Sequence, residues 1–149
     1  MIDVLLGFAA IGWDFDGTLL NHPKSELMHA FIRGHPEKRH VILTFRSHGY
    51  QHHMFREMRN MYPEAPGPDS FTDVKNISNT AWEEFDKYAR LRMVDRLRGP
   101  PNHWEEYYTE WKGMMCDQLH IPVLIDDVSA HVLPGCKKYQ ISYFHPDEL

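Results

Sequence analysis

Four carboxylates, a hydroxyl group and an ammonium group occur in this sequence at positions from which they could share one site. They lie at the ends of apolar segments or in the stretch that leads to one. The six residues are Asp14, Asp16, Thr44, Lys112, Asp126 and Asp127. Carboxylate oxygens are ligands that Mg²⁺ prefers, and a carboxylate can also attack phosphorus as a nucleophile. This combination of residue types therefore indicates phosphoryl chemistry beside a metal ion.

Each of these groups has a possible part in such chemistry. Phosphoryl transfer needs an in-line nucleophile, charge neutralisation and a proton for the leaving group. Asp14 could be the nucleophile, and Asp16 could protonate the leaving oxygen and later activate water. Asp14 and Asp126 suit Mg²⁺. Thr44 and the backbone amides after it could hold phosphate oxygens, while Lys112 could balance their charge.

The elements that must position these groups alternate between buried strands and helices. Strands are predicted at 8–13, 40–45, 122–125 and 139–144, with a short one at 71–77. Helices are predicted at 21–33, 47–62, 80–97 and 105–119. Alternation of this kind predicts a mainly parallel sheet between two helical layers, a Rossmann-like three-layer α/β/α sandwich. Ligands bind such sheets beyond the carboxyl ends of the strands, where these polar residues stand.

The motifs resemble those of the haloacid dehalogenase superfamily of phosphatases. The first motif, Asp-x-Asp-Gly-Thr-Leu, corresponds to residues 14–19, and the second, a strand that ends in Thr or Ser, to residues 41–44. The third motif corresponds to Lys112, and the fourth, a strand that ends in paired acids, to residues 123–127. The four occur in the order of that family and span most of the chain.

The resemblance implies a role for each motif residue. Asp14 would be the nucleophile and Asp16 the general acid and base, while Thr44 and Lys112 would bind the transferring phosphate. The residues implied for Mg²⁺ are Asp14, the backbone carbonyl of Asp16, Asp126 and Asp127, the last directly or through water. The presence of Asp16 favours a phosphatase over a dehalogenase.

Neighbouring residues complete the predicted substrate site. Gly17 lets the backbone turn closely around a phosphate, and Arg46 would contact the substrate or else form a surface salt bridge. The predicted substrate-binding residues are Gly17, Thr18, Thr44, Phe45, Arg46 and Lys112.

The choice of Lys112 rests on its position, one helix ahead of the strand that ends in Asp126. If that helix starts at Glu105, Lys112 lies about two turns inside it, which fits the sheet edge poorly. In the family that the motifs resemble, the third motif often sits at a helix start, so the resemblance implies a break or bend between Tyr108 and Lys112. Lys137 and Lys138 are the alternatives, although both follow the last acid and break the order of the motifs.

Length and composition bound the remaining expectations. The 149 residues predict one domain, 1–149, without a large cap domain and with at most a small helical insertion around 79–101. The net charge of −5 argues against non-specific binding to nucleic acid. Two cysteines without a C-x-x-C motif predict reduced thiols and a cytoplasmic protein. No apolar run approaches the ~20 residues of a membrane span.

The substrate is predicted only as a class. It is a phosphorylated small molecule, and Arg46 and the basic helix favour a nucleotide or a nucleic-acid end over a sugar phosphate. The resemblance implies that an open site suits larger phosphorylated substrates or a lid supplied by a partner. A nucleic-acid end is an alternative if Arg46 and the basic cluster of the 80–97 helix grip a polyanion. That cluster is Lys87, Arg90, Arg92, Arg96 and Arg98, and interleaved acids favour a solvated surface instead. The oligomeric state is not predicted.

Three other function classes were weighed against the phosphatase. A catalytically silent phosphate-binding module is disfavoured because all the acids are present. A phosphotransferase would share the aspartyl-phosphate and is not separated from a hydrolase by sequence. A receiver domain also combines an acidic pair with Asp, Thr and Lys, but its phosphoacceptor lies on a middle strand, whereas Asp14 follows the first.

Overall fold

The computed structural model describes residues 1–46, 49, 51–95 and 103–149, and for 88–95 it describes the backbone alone. Within these ranges the chain forms five strands and five α-helices. The strands are β1 Ala10–Trp13, β2 Arg39–Thr44, β3 Asp73–Asn76, β4 Val123–Ile125 and β5 Ser142–Phe144. The helices are α1 Ser25–Gly34, α2 Gln51–Met61, α3 Asn79–Asp95, α4 His103–Gln118 and α5 Ser129–Lys138. Short 3₁₀ turns lie at Ile2–Gly7, Pro68–Ser70 and Pro146–Glu148.

The five strands form one parallel sheet in the order β3-β2-β1-β4-β5. The chain adds β2 and β3 on one side of β1 and then returns to the other side for β4 and β5. The strand order therefore reverses between β1 and β4, the position at which open α/β sheets bind ligands. Trp13 of β1 pairs with Ile125 of β4. The residues that follow them, Asp14 and Asp126, consequently emerge side by side.

Two hydrophobic clusters hold helices against the two faces of the sheet, because successive residues of a strand point to opposite faces. The cluster against α1 and α2 includes Ile11, Trp13, Met28, Ile32, Met54 and Met58. The cluster against α4 and α5 includes Ala10, Val41, Leu43, Cys116, Val132 and Cys136. The predicted Rossmann-like three-layer sandwich is confirmed, and the described residues form no large cap.

The helix α5 was missed by the sequence analysis, which placed no helix between the strands at 122–125 and 139–144. Pro134 lies inside α5, and Pro134 followed by Gly135 indicates a break rather than a helix. A tertiary contact overrides that preference. A Cβ atom on Gly135 would lie 2.6 Å from the Glu110 carbonyl oxygen, so the backbones of α4 and α5 touch at this point.

The segment predicted as a small insertion begins as a helix that packs on the rest of the chain. α3 meets α4 through a third cluster, which includes Ile77, Ala81, Phe85, Tyr108 and Trp111. Residues 96–102 lie outside the described ranges, as do the side chains of Arg90 and Arg92. The basic cluster is thus not described beyond Lys87, which is exposed. That residues 1–149 form one domain stays a prediction.

None of the described helices is both long enough and apolar enough to span a membrane.

Candidate functional site

The centre of the site lies where β1 and β4 end. Asp14 continues the strand ladder, with its amide donating to the Ile125 carbonyl at 2.8 Å. Asp126 follows β4, and its carbonyl accepts a hydrogen bond of 2.6 Å from the Tyr143 hydroxyl. Both carboxylates are almost fully buried, with exposed fractions of 6% and 2%. The parallel pairing of two strands thus brings together acids that are more than a hundred residues apart in sequence.

Lys112 connects these two carboxylates. Its Nζ atom lies 2.7 Å from Asp14 Oδ1 and 2.6 Å from Asp126 Oδ2, and the side chain is only 1% exposed. The opposite charges of its two partners raise the pKa of Lys112 although burial alone would lower it, so the group is an ammonium ion. The ring of Phe45 covers it, with the ring centroid 4.4 Å from Nζ. Of the three lysines considered, Lys112 is the one that meets the acids.

The predicted break before Lys112 is wrong, because α4 runs without interruption from His103 to Gln118. Tyr108 and Trp111 of α4 pack against α3 just ahead of Lys112. Lys112 therefore reaches the strand ends from the third turn of the helix.

The carboxylate of Asp14 is held on both oxygens. Lys112 donates to Oδ1, and the Thr18 hydroxyl donates to Oδ2 at 3.2 Å. Burial raises the pKa of Asp14 well above its usual value, and the nearby Asp126 carboxylate raises it further, while Lys112 opposes the shift. Thr18 was predicted to bind substrate, but it is fully buried, and its hydroxyl contacts Asp14. In this position it fixes the orientation of the candidate nucleophile.

Asp127 packs against the backbone of Gly17. Gly17 has a φ of +78°, and a Cβ atom there would lie 2.6 Å from the Asp127 Cγ atom. Glycine is therefore required on two independent grounds, its left-handed backbone and the space that the carboxylate occupies. Among the described residues, the Oδ1 atom of Asp127 has no hydrogen-bond partner although it is buried.

The residues present fit a divalent cation. Asp14, Asp126 and Asp127 each offer one oxygen, and these atoms lie within 4.8 Å of one another. Lys112 pairs with two of the three carboxylates, those of Asp14 and Asp126. The buried Oδ1 atom of Asp127 has no hydrogen-bond partner among the described residues, and a bound cation would satisfy it. An all-oxygen set of this kind suits Mg²⁺.

Asp16 lies at the rim of the same site rather than in its buried centre. Its side chain is 52% exposed. Arg46 grips it with two parallel hydrogen bonds, Nε to Oδ2 at 2.8 Å and Nη2 to Oδ1 at 2.7 Å. The third guanidinium nitrogen, Nη1, donates to Glu57 Oε2 at 2.7 Å. Arg46 thus forms the salt bridge that the sequence analysis kept as the alternative to substrate contact, and its partner is the candidate acid.

The predicted phosphate-binding residues at the end of β2 lie at the same edge of the sheet. Thr44 is buried, and its hydroxyl accepts a hydrogen bond of 3.1 Å from the Arg46 amide. The Phe45 ring stacks on Tyr108 at a centroid distance of 3.9 Å, and Tyr108 stacks on Phe85 of α3 at 3.7 Å. The wall of the site is therefore linked through three aromatic rings to α3.

These groups surround a cavity of about 200 Å³. Its walls include seven predicted residues, namely Asp14, Asp16, Thr44, Phe45, Lys112, Asp126 and Asp127. Gly17, Thr18 and Arg46 support the wall residues from behind or from the rim. A larger cavity of about 520 Å³ lies between α1 and the segment after α2, and none of the predicted residues lines it.

Three other residues of the cavity wall were missed, namely Tyr108, Val128 and His131. Tyr108 stands one helical turn before Lys112, so the spacing of four residues could have placed it on the same face. His131 lies in the first turn of α5 and could be found only once that helix was recognised. Burial lowers the pKa of His131, which keeps its imidazole neutral at pH 7.

Comparisons with protein-family models, with curated proteins and with solved structures find no match to this chain. The resemblance to the haloacid dehalogenase superfamily accordingly rests on the four motifs and their order.

Proposed function

We propose that the protein is a Mg²⁺-dependent phosphomonoester hydrolase of the haloacid dehalogenase type, with Asp14 as its nucleophile. One observation carries this proposal: Lys112 is buried between Asp14 and Asp126 at the ends of adjacent parallel strands, with a third carboxylate, Asp127, within ligand distance. Burying one ammonium among three carboxylates is costly for a purely structural site. The cost is understandable where a cation and a phosphoryl dianion bind.

The proposed reaction has two displacements. An oxygen of Asp14 attacks phosphorus, the bond to the leaving oxygen breaks, and its electron pair takes a proton from Asp16. Water then attacks the phosphorus of the aspartyl-phosphate, Asp16 accepts a proton from that water, and the carboxylate of Asp14 is restored. Throughout, Lys112 and Thr18 hold Asp14.

Mg²⁺ would be held by Asp14, Asp126 and Asp127, together with the backbone carbonyl of Asp16 that the motif implies. It would supply positive charge that lets an anionic nucleophile approach an anionic phosphate.

The size of the cavity bears on the substrate. About 200 Å³ is below the ~300–1,000 Å³ of pockets that enclose a whole small molecule. We propose that the cavity takes the phosphoryl group and that the rest of a phosphorylated small molecule, such as a nucleotide, lies outside.

Both cysteines are buried free thiols, which is consistent with the cytoplasm as the proposed compartment.

The test is hydrolysis of p-nitrophenyl phosphate with Mg²⁺. Chelation of the metal and the variant Asp14→Asn should each abolish activity, and circular dichroism should show an unchanged fold for the variant. Full activity after either change would overturn the mechanism. A wild-type protein that binds phosphate but hydrolyses neither this ester nor nucleotides and sugar phosphates would be the silent module instead.

A further inference from the structure

A chain of ion pairs at the rim of the site includes two residues that the proposed mechanism does not use, Arg46 and Glu57. Each guanidinium nitrogen of Arg46 donates to a carboxylate oxygen, two to Asp16 and one to Glu57, at 2.7–2.8 Å. Arg46 is 24% exposed and Glu57 44% exposed at the side chain. Glu57 does not line the cavity, so it can act on the reaction only through Arg46.

The remainder of Arg46 is fixed independently of these ion pairs. Its amide donates to the Thr44 hydroxyl at 3.1 Å, and its carbonyl accepts a hydrogen bond of 2.9 Å from Asn76 Nδ2. The guanidinium carbon lies 5.0 Å from the centroid of the Phe15 ring. The backbone of Arg46 is therefore bonded to β2 and β3, and one face of its guanidinium lies over Phe15. Only rotation about the side-chain torsions of Arg46 can still move the guanidinium. Glu57 restrains those torsions from the far side.

Glu57 is itself anchored in a rigid element. It lies on α2 between Met54 and Met58, whose side chains are fully buried in the core against the sheet. The position of its carboxylate is therefore set by the packing of α2. A bidentate guanidinium–carboxylate pair transmits orientation as well as charge, because its two parallel hydrogen bonds fix both planar groups.

We propose that Glu57 is a positioning residue, which holds the Arg46 guanidinium in the orientation that directs the exposed Asp16 carboxylate toward the cavity. The inference rests on the proposed function, in which Asp16 exchanges protons with the leaving oxygen and with water. Without Glu57 the guanidinium rotates on its long side chain and Asp16 follows it. Small misplacements of a reacting group reduce turnover strongly, whereas substrate affinity depends on groups that Glu57 does not touch.

The first experiment compares the steady-state kinetics of Glu57→Gln with those of Glu64→Gln, an equivalent charge change at an exposed site just after α2. We expect kcat for p-nitrophenyl phosphate to fall on the order of tenfold in Glu57→Gln, with KM unchanged. Glu64→Gln should match the wild type. Unchanged kcat in Glu57→Gln, or a rise in KM alone, would overturn the proposal.

A double-mutant cycle tests whether Glu57 acts through Arg46. In an Arg46→Ala background, Glu57→Gln should have no further effect on kcat, because the guanidinium that it positions is gone. Equal fractional losses in both backgrounds would show that Glu57 acts by another route and would overturn the proposal.

A readout without catalysis separates this inference from the proposed function. The Nε–H proton of Arg46, observed by NMR, should exchange with water slowly in the wild type and in Glu64→Gln, and faster in Glu57→Gln. If the wild type hydrolyses no phosphate ester, the proposed function fails and the positioning role with it. The exchange rate then tests the remaining claim, that Glu57 restrains the Arg46 guanidinium. An unchanged rate in Glu57→Gln would overturn that claim as well.

Discussion

Replacing Lys112 with methionine removes the ammonium group from the middle of the site and keeps a side chain of similar length. In the wild type that group donates to Asp14 at 2.7 Å and to Asp126 at 2.6 Å. Both carboxylates are almost fully buried. The variant leaves Asp14 Oδ1 and Asp126 Oδ2 without the ammonium group that neutralised them, and removing one partner of a buried ion pair typically costs about 3–5 kcal/mol. Protonation of Asp14, whose pKa is already raised, relieves part of this, so we expect about 3 kcal/mol.

The assay is urea unfolding followed by circular dichroism, first with a chelator present. The matched control is Lys138→Met. Lys138 lies 2.9 Å from Glu110, but its side chain is 55% exposed, so its loss should change the free energy of unfolding little. Turnover should fall by orders of magnitude in Lys112→Met and stay at the wild-type level in Lys138→Met.

Addition of Mg²⁺ extends the same experiment. A ligand that binds only the folded state stabilises it by about 2.7 kcal/mol at a hundredfold excess over its dissociation constant. The gain should be larger in Lys112→Met than in the wild type, because the cation no longer meets an ammonium group among its ligands. The reasoning would be refuted if Lys112→Met and Lys138→Met had the same free energy of unfolding in chelator. It would also be refuted if Mg²⁺ stabilised none of the proteins.

Three further predictions concern the supports of the site. Gly17→Ala should abolish the stabilisation of the folded protein by Mg²⁺, since the new methyl group displaces Asp127; unchanged Mg²⁺ binding by calorimetry would contradict this. Gly113→Ala puts a methyl group 2.8 Å from a backbone nitrogen of α5, and urea unfolding should show a loss of at least about 1–3 kcal/mol, whereas Gly34→Ala, in open space, should lose far less. His29 has a pKa that burial lowers, so below pH 6.5 the unfolded chain binds a proton that the folded one does not. As the pH is lowered below 6.5, the free energy of unfolding should therefore decrease by up to about 1.4 kcal/mol per pH unit. His29→Gln should reduce that slope, and an identical slope in the variant would refute this role of His29.

The parts of the site that could be predicted from sequence are those that follow from strand ends. Asp14 and Asp126 each come directly after a buried apolar strand, and Thr44 ends one. A parallel sheet brings its carboxyl ends to one edge. Local motif spacing then added Asp16 and Asp127. The pattern sufficed because it depends only on which residues follow the strands, and not on how side chains pack.

The parts that could not be predicted depend on packing between distant elements. α5 contains Pro134 and Gly135, which locally oppose a helix, and only its close contact with α4 explains them. The uninterrupted course of α4 depends on its packing against α3. The pairing of Glu57 with Arg46 joins a helix to a loop, and no local spacing marks it. His131 entered the cavity wall only through the unrecognised helix.

The most direct measurement of the central claim is chemical trapping of the phosphorylated enzyme. Acyl phosphates are reduced by borohydride to the alcohol, which converts a phosphorylated aspartate to homoserine. After the enzyme is mixed with p-nitrophenyl phosphate and Mg²⁺ and quenched in acid, borohydride reduction and peptide mass spectrometry should find homoserine at position 14 alone. Chelator should prevent its formation. Homoserine at another aspartate, or none while product is being released, would contradict the assignment of Asp14 as the nucleophile.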